Sequence, residues 1–253
     1  MRLTSFGKTD EGKRRTNNED SFLANDRLGL YAVADGIGGH EGGEVASRLA
    51  MEALSGILRK QFTDIRSVAK SEVSGEIDQC ITSLRGAFDF ANTMIREAAA
   101  RDPDLAGMGT TVTAVLLRPG VSIFAHVGDS RAYLFRDGTL KQLTLDHSLV
   151  AEQMRSGLIT PDQARISPYR HVITRSVGIR PEVQADLGKF EVEKNDILLL
   201  CTDGLTEMVT DDDIARILNS ETPPAAAEAL IRLANDNGGV DNITVVVVKI
   251  EDV

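Results

Sequence analysis

The stretch LGLYAVADG, residues 28–36, decides how this chain folds. An apolar run without polar interruption predicts a strand buried on both faces. It stops on an Asp-Gly pair, Asp35 and Gly36. The same ending recurs in ILLLCTDG, residues 197–204, with Asp203 and Gly204. A third acid, Asp241, opens the run DNITVVVVKI, and the polar NNED, residues 17–20, precedes the strand-like SFLAN. Strand ends lie at sheet edges, where rigid backbone aims a side chain. Several carboxylates fixed at one edge repel unless cations sit among them, and oxygen-rich sets of Asp and Glu suit hard divalent ions such as Mg²⁺ or Mn²⁺. The pattern predicts a two-metal hydrolase site.

Working outward, alternation predicts strands at SFGKT and SFLAN, then a second strand-rich block in TTVTAVLLR, VSIFAHVG and RAYLFRDG. Asp137-Gly138 is a two-residue hairpin signal between RAYLFR and TLKQL. Val45, Leu49, Ala53 and Ile57 give a helical stripe over 43–60. Ile77, Ile81, Leu84, Phe88, Ala91, Ile95 and Ala98 give a second, alternating spacings of four and three. That period also suits a coiled coil, but in a strand-rich chain it favours two layers of a globular domain. Further helices are expected at 147–156, 211–218 and 223–236, the last with Pro223 and Pro224 in its first turn. Strand blocks separated by helix pairs point to an α+β fold with helices outside antiparallel sheets. The 253 residues read as one domain, 1–253, with no Pro-, Ser- or Gly-rich linker.

Composition narrows the function classes. A hydrophobic content of 42% supports a full core. No run approaches the ~20 apolar residues of a membrane span, and the N-terminus lacks a secretory signal. Two cysteines, Cys80 and Cys201, make neither a disulfide framework nor a zinc site, so a cytoplasmic location is expected. A formal charge of −10 argues against nucleic acid as a partner. It also disfavours anionic substrates unless metals and a placed Arg reverse the local field. Residues 7–13, GKTDEGK, match most of a phosphate-binding P-loop, but Arg14 stands where a Ser or Thr must hold Mg²⁺. Residues 36–42, GIGGHEG, imitate a dinucleotide fingerprint, yet Asp35 would face the pyrophosphate. Neither cysteine precedes the closely spaced Arg of a cysteine phosphatase, and four His are few for a His-rich metallophosphatase.

The ordered set RTNNED, ADGIGGHEGGEVAS, GMGTT, VGDSRAYL, CTDGL and VDNITVVV resembles the metal-dependent protein serine/threonine phosphatases of type 2C, the PPM family, in their compact bacterial form. The resemblance implies a four-layer αββα sandwich of two packed antiparallel sheets flanked by helix pairs. It implies two Mn²⁺ or Mg²⁺ ions per chain. Asp35 would bridge both, the Gly36 carbonyl would ligate the first, and Asp203 and Asp241 would complete the second. Asp20 and Glu19 would bind that metal or hold its waters, and Arg15 would grip the phosphoryl group through its two-pronged fork. Asp104 corresponds to an acid that bacterial relatives use for a third, weaker metal. Asp129 in VGDSR reads equally as a site residue or a turn residue, and Asn242 as a cap that orients Asp241. Where many eukaryotic relatives carry a His after Asp-Gly, this chain has Ile37, so the proton for the leaving group comes from water or another group, with His40 a candidate. Residues 145–182 would contain the family's flap beside the site. The expected partners are phosphorylated proteins, substrates of a Ser/Thr kinase, met by a monomer with no nucleic-acid or membrane partner. A catalytically silent phosphoprotein-binding scaffold and a small phosphate-ester hydrolase are the alternatives.

Overall fold

The computed structural model describes residues 1–38, 41–62 and 73–253, with side chains from residue 77 onward in the last segment. The run that opens the sequence argument becomes strand β3 (Leu30–Ile37), and its burial explains its composition. Tyr31 and Val33 point into the space between two sheets, while Leu30, Ala32 and Ala34 face a pair of helices. Both faces are dry, so neither can be polar.

β3 belongs to a sheet ordered β2 (Asp20–Asn25), β3, β5 (Val112–Leu116), β6 (Ser122–Val127) and β9 (Asp186–Phe190), with β4 (Gly109–Thr110) paired to β3. The second sheet runs β1 (Arg2–Asp10), β11 (Ile243–Asp252), β10 (Ile197–Cys201), β7 (Arg131–Arg136) and β8 (Thr139–Gln142). Every pairing is antiparallel. Helices α1 (Gly42–Gln61) and α2 (Val73–Arg101) cover the first sheet through Ala46, Ala50, Leu54, Leu84, Phe88 and Ile95. After α3 (Leu149–Arg155), α4 (Pro161–Arg165) and α5 (Asp203–Thr206), helices α6 (Asp211–Ser220) and α7 (Pro223–Asp236) cover the second through Ile214, Ile217, Leu230 and Ile231. Leu134, Leu198, Leu200, Val246 and Val248 meet Tyr31, Val33 and Val115 between the sheets. The result is the expected αββα sandwich. Burying a Val or Leu contributes about 1.5–3 kcal/mol, and a one-residue slip would turn a strand's whole inward set outward. The register is therefore firmly fixed, and with it the positions of the strand ends.

Asp137 and Gly138 both take positive φ, 49° and 79°, as a tight β7–β8 hairpin requires. The 223–236 helix forms as expected, the 43–60 helix extends by one residue at each end, and the 147–156 helix is confined to 149–155 behind Ser148, whose hydroxyl caps it. The heptad-like stripe of α2 packs on α1 and the sheet, not on a coiled-coil mate. Strand β9 and the short helices α4 and α5 are additions to the sequence reading. No helix among the described residues is long and apolar enough to cross a membrane.

Candidate metal centre

Four acids converge at one end of the sandwich, two from each sheet. Asp20 opens β2 and stands directly opposite Asp35 of β3 in register. From the other sheet, Asp203 follows β10 and Asp241 precedes β11. A hydroxyl ties the halves together: Thr202 Oγ1 donates to Asp20 Oδ2 at 2.8 Å and accepts from the Thr244 backbone N–H at 3.0 Å. The Asp35 backbone is clamped at both ends, its N–H donating to Thr111 Oγ1 at 2.9 Å and its carbonyl accepting from Thr110 Oγ1 at 2.8 Å and Thr111 N–H at 2.9 Å.

Burial sets the electrostatics. It pushes the Asp20 carboxyl up to about 7, against the lowering effect of hydrogen bonds from Thr244 and Thr202. Burial also raises Asp203 to about 6, with Glu207 and Asp241 adding repulsion. Asp35 is raised well above its ordinary value by burial first, then by Asp20, Asp203 and Asp129. Asp35 and Asp203 act on each other in opposite directions, Asp203 raising the Asp35 carboxyl and Asp35 lowering that of Asp203. Three carboxylate oxygens of this cluster, Asp20 Oδ1, Asp129 Oδ1 and Asp203 Oδ1, are buried and accept no hydrogen bond from the protein. Buried acceptors without donors are costly. A set of such oxygens has the donor chemistry of a hard divalent cation site, so these residues fit the Mn²⁺ or Mg²⁺ expected from the sequence.

The surrounding residues explain the Asp-Gly and Asn-Asn spellings. A Cβ built on Gly36 would run into the Gly43 carbonyl, and the Gly36 N–H donates to the Glu19 carbonyl at 3.1 Å. Only glycine lets these backbones approach so closely. Asn242 is a staple: its side-chain NH₂ donates to the Glu11 and Asn17 carbonyls while its Oδ1 accepts from Glu19 N–H, and its own N–H donates to Asp241 Oδ1 at 2.8 Å. Glu19 Oε1 accepts from Asn17 Nδ2 at 2.9 Å. Arg15 Nη2 donates to Asp241 Oδ2 at 2.7 Å, with the Arg15 side chain 49% exposed. The guanidinium is therefore at the centre, leaning on one of its acids.

Asp129 is the residue the sequence underweighted. It lies in the β6–β7 turn, 8% exposed, its carboxyl raised well above the usual range by burial and then by Asp203 and Asp146. Its neighbour Ser130 shares a 2.8 Å hydroxyl contact with Thr111, the residue that clamps Asp35. His171 and Glu207 were missed altogether. His171 Nδ1 lies 2.9 Å from Glu207 Oε1, and ligand atoms of His171, Asp203 and Glu207 lie within 4.8 Å of one another. Glu207, one turn after Asp203, is a signal visible in the sequence. Asp104 occupies an exposed 3₁₀ turn, Pro103–Leu105, its N–H donating to Asp102. No described contact joins it to the four acids, and the acid brought to the cluster is Asp129. His40 lies outside the described residues.

Comparison with known proteins agrees with this geometry. The family model for protein phosphatase 2C matches residues 10–235. The serine/threonine phosphatase stp of Listeria welshimeri is 38% identical over 246 residues, covering 96% of this chain and 94% of that protein. Among solved structures, the Mycobacterium tuberculosis serine/threonine phosphatase PstP/Ppp superimposes with a TM-score of 0.88 at 38% identity, covering 99% of this chain and all of that one. A second, the PstP catalytic domain in complex with 2 manganese ions, gives 0.85 at 37% identity and 99% coverage of both chains. Two carboxylates from each sheet, an arginine beside them and a family match over most of the sequence agree: the chain belongs to the protein phosphatase 2C family.

Proposed function

We propose that this protein hydrolyses phosphoserine and phosphothreonine esters of proteins with the aid of two divalent cations. The observation that carries the reading is the set of buried, donor-less carboxylate oxygens beside Arg15 in a protein phosphatase 2C chain. Asp35, Asp20, Asp203, Asp241 and the Gly36 carbonyl would hold the cations, with Glu19 acting directly or through water. Bound there, Mn²⁺ or Mg²⁺ supplies Lewis-acid polarisation of the phosphoryl oxygens and lowers the pKa of water.

The chain's own residues do the rest. Arg15, half exposed at the rim, offers two parallel N–H donors to phosphoryl oxygens once the acids are neutralised by cations. Thr111 and Thr110 hold the Asp35 backbone so that its carboxyl cannot swing away. A protein thiol does not attack phosphorus here, because Cys201 is buried and its thiol is pushed up to about 12. Ile37, directly after Asp-Gly, offers no proton, so the leaving alkoxide takes one from water or another group, with His40 the candidate side chain. The substrates are proteins phosphorylated by a Ser/Thr kinase, and a cytoplasmic location fits a chain whose two cysteines are both buried.

The test is turnover of a phosphopeptide and of p-nitrophenyl phosphate, each with Mn²⁺ and with EDTA. Both should be hydrolysed with Mn²⁺ only, and Asp35→Ala should lose about 10³-fold or more in kcat, since each ~1.4 kcal/mol is tenfold. A variant retaining a tenth of wild-type kcat at saturating Mn²⁺ would sink the Asp35 assignment. Phosphopeptide binding without turnover would favour the scaffold reading, although all four acids that a scaffold could lose are present.

A further inference from the structure

Nine large hydrophobic residues are exposed among those described, and six fall between Leu145 and Val172. Ile166 is 82% exposed, Tyr169 58% and Val172 43%. Apolar side chains clustered on one short surface segment mark an interaction site more often than scattered ones do. The charge is as unusual. In a chain of net charge −10, residues 149–175 carry four Arg (155, 165, 170, 175) against two acids, Glu152 and Asp162. Two of the four are engaged: Arg155 donates to the Asp146 carbonyl and Arg175 to Asp186. Arg165 and Arg170 are exposed, and their guanidinium groups have no hydrogen bond or ion pair among the described residues.

This surface is built. Helix α4 opens with a reciprocal cap between Thr160 and Gln163. Consecutive turns follow it, Ser167 N–H to Ala164, Arg170 N–H to Ser167 and Val172 N–H to Tyr169, and the Val172 carbonyl is taken by Leu149 N–H. Little ordering entropy remains to be lost on binding. The strip is also anchored at the metal centre, because His171, flanked by Arg170 and Val172, is the residue that reaches Glu207 and Asp203. A polypeptide with its phosphoresidue at the four acids therefore passes beside residues 165–172.

The geometry points to this strip as a docking surface for the substrate polypeptide itself, selecting phosphoproteins that carry acidic side chains together with an apolar one beside the phosphoresidue. The assignment rests on the phosphatase reading above. Charge complementarity argues for it: the free guanidinium groups of Arg165 and Arg170 face outward with Ile166 and Tyr169 between them, so acidic and apolar flanks fit, whereas Lys-rich flanks meet like charge. Each exposed pair is good for a factor of up to about five, so two give roughly tenfold or somewhat more.

The experiment compares phosphothreonine peptides of one core sequence with Glu/Leu flanks and with Lys/Ser flanks, using the full chain with Mn²⁺. Wild type should favour the acidic peptide by roughly tenfold in kcat/KM, mostly through KM, and the preference should shrink in high salt. Arg165→Glu with Arg170→Glu should abolish or invert it, and Ile166→Ser with Tyr169→Ser should weaken it, while p-nitrophenyl phosphate turnover stays at wild type in both. Equal kcat/KM for the two peptides, or a preference that survives charge reversal, would overturn the docking strip while leaving the phosphatase reading intact. Concentration-dependent self-association abolished by the same variants would overturn it by assigning the strip to a second copy of the chain. Failure on p-nitrophenyl phosphate by wild type would remove the phosphatase reading and the strip together.

Discussion

Asp20→Asn tests whether the acidic cluster is a strained cation site. In the metal-free protein the Asp20 carboxyl is raised from 3.8 to about 7, chiefly by burial. A raised folded-state value means that the folded form binds the proton more tightly than the unfolded chain. The contribution is fully favourable below the unfolded value and is lost as pH rises through about 7. At 1.36 kcal/mol per tenfold, the ionised group then costs the fold an upper bound of about 4 kcal/mol. Asparagine removes the charge and keeps an acceptor for Thr202 Oγ1. It places an NH₂ where Oδ1 has no donor, and an unsatisfied buried donor costs about 1–3 kcal/mol. The net gain in metal-free protein above pH 7 is therefore about 1–3 kcal/mol, or a Tm rise of about 2–10 °C for a chain of this size.

Near pH 5 the wild-type penalty is only about 1.6 kcal/mol, so the variant should be no more stable, and slightly less so if the amide is poorly placed. His126, lowered to about 4 by burial and His147, and His147, also lowered by burial, contribute with the opposite sign. Both are present in wild type and variant, so they cancel in the difference. The assay is thermal unfolding of EDTA-stripped protein across pH, repeated with saturating Mn²⁺. With metal the order should reverse, because only the carboxylate gains from the cation. A metal-free variant at or below wild type above pH 7, or an advantage independent of pH, would refute the strain argument.

Arg15→Ala should raise KM about 10- to 100-fold, the worth of charged hydrogen bonds to phosphate, and Lys should rescue only part. Because Arg15 Nη2 sits on Asp241 Oδ2, the same variant should bind Mn²⁺ as tightly as wild type or a few-fold more tightly by calorimetry; a loss of Mn²⁺ affinity with unchanged KM would contradict the phosphate role. Asp129→Asn should weaken the last Mn²⁺ to bind in a titration of kcat and of bound metal, whereas Asp104→Ala should leave both curves unchanged; a late rise lost only in the Asp104 variant would restore the exposed acid as a ligand.

What the sequence makes legible follows from which positions the core fixes. Asp35, Asp203 and Asp241 could be found because each ends or begins a run buried on both faces, so the strand's period leaves its carboxylate one place to go. The long α2 stripe and the Asp137-Gly138 hairpin are as clear, since helical period and positive φ have strong local signatures. β9 was hidden because DLGKF is a half-buried edge strand with a Gly and a Lys, lacking alternation. Asp129 looked like a turn residue because GDSR is a turn; its burial comes from packing of the following segment, with His147 N–H donating to the Gly128 carbonyl at 2.7 Å and its Nδ1 accepting from Gly128 N–H at 3.1 Å. Arg15 and Asp241 lie 226 residues apart, and no local pattern announces such a pair. His171 reaches Glu207 from the segment between β8 and β9 for the same reason.

The two-sheet architecture also explains why the site lies at the seam and not within one sheet. Two acids on adjacent strands, as Asp20 and Asp35 are, can be held apart by their own ladder, but ligands around a cation must approach from more than one side. The second sheet supplies that side with Asp203 and Asp241. Hydroxyls and amides, and no opposing charges, set the spacing: Thr202 to Asp20, Thr111 to Asp35, Thr244 to Thr9, and Asn242 to the loop that carries Glu19. Neutral donors position backbone and carboxylates without satisfying the charge, which leaves the electrostatic demand for a cation while removing the freedom to relax away from it. Arg15 is the exception, and its half-exposed side chain is able to leave. A framework that orders its ligands before the cation arrives loses stability in the metal-free state and gains a site that need not reorganise during the reaction, which is where fixed charges and dipoles contribute most to rate.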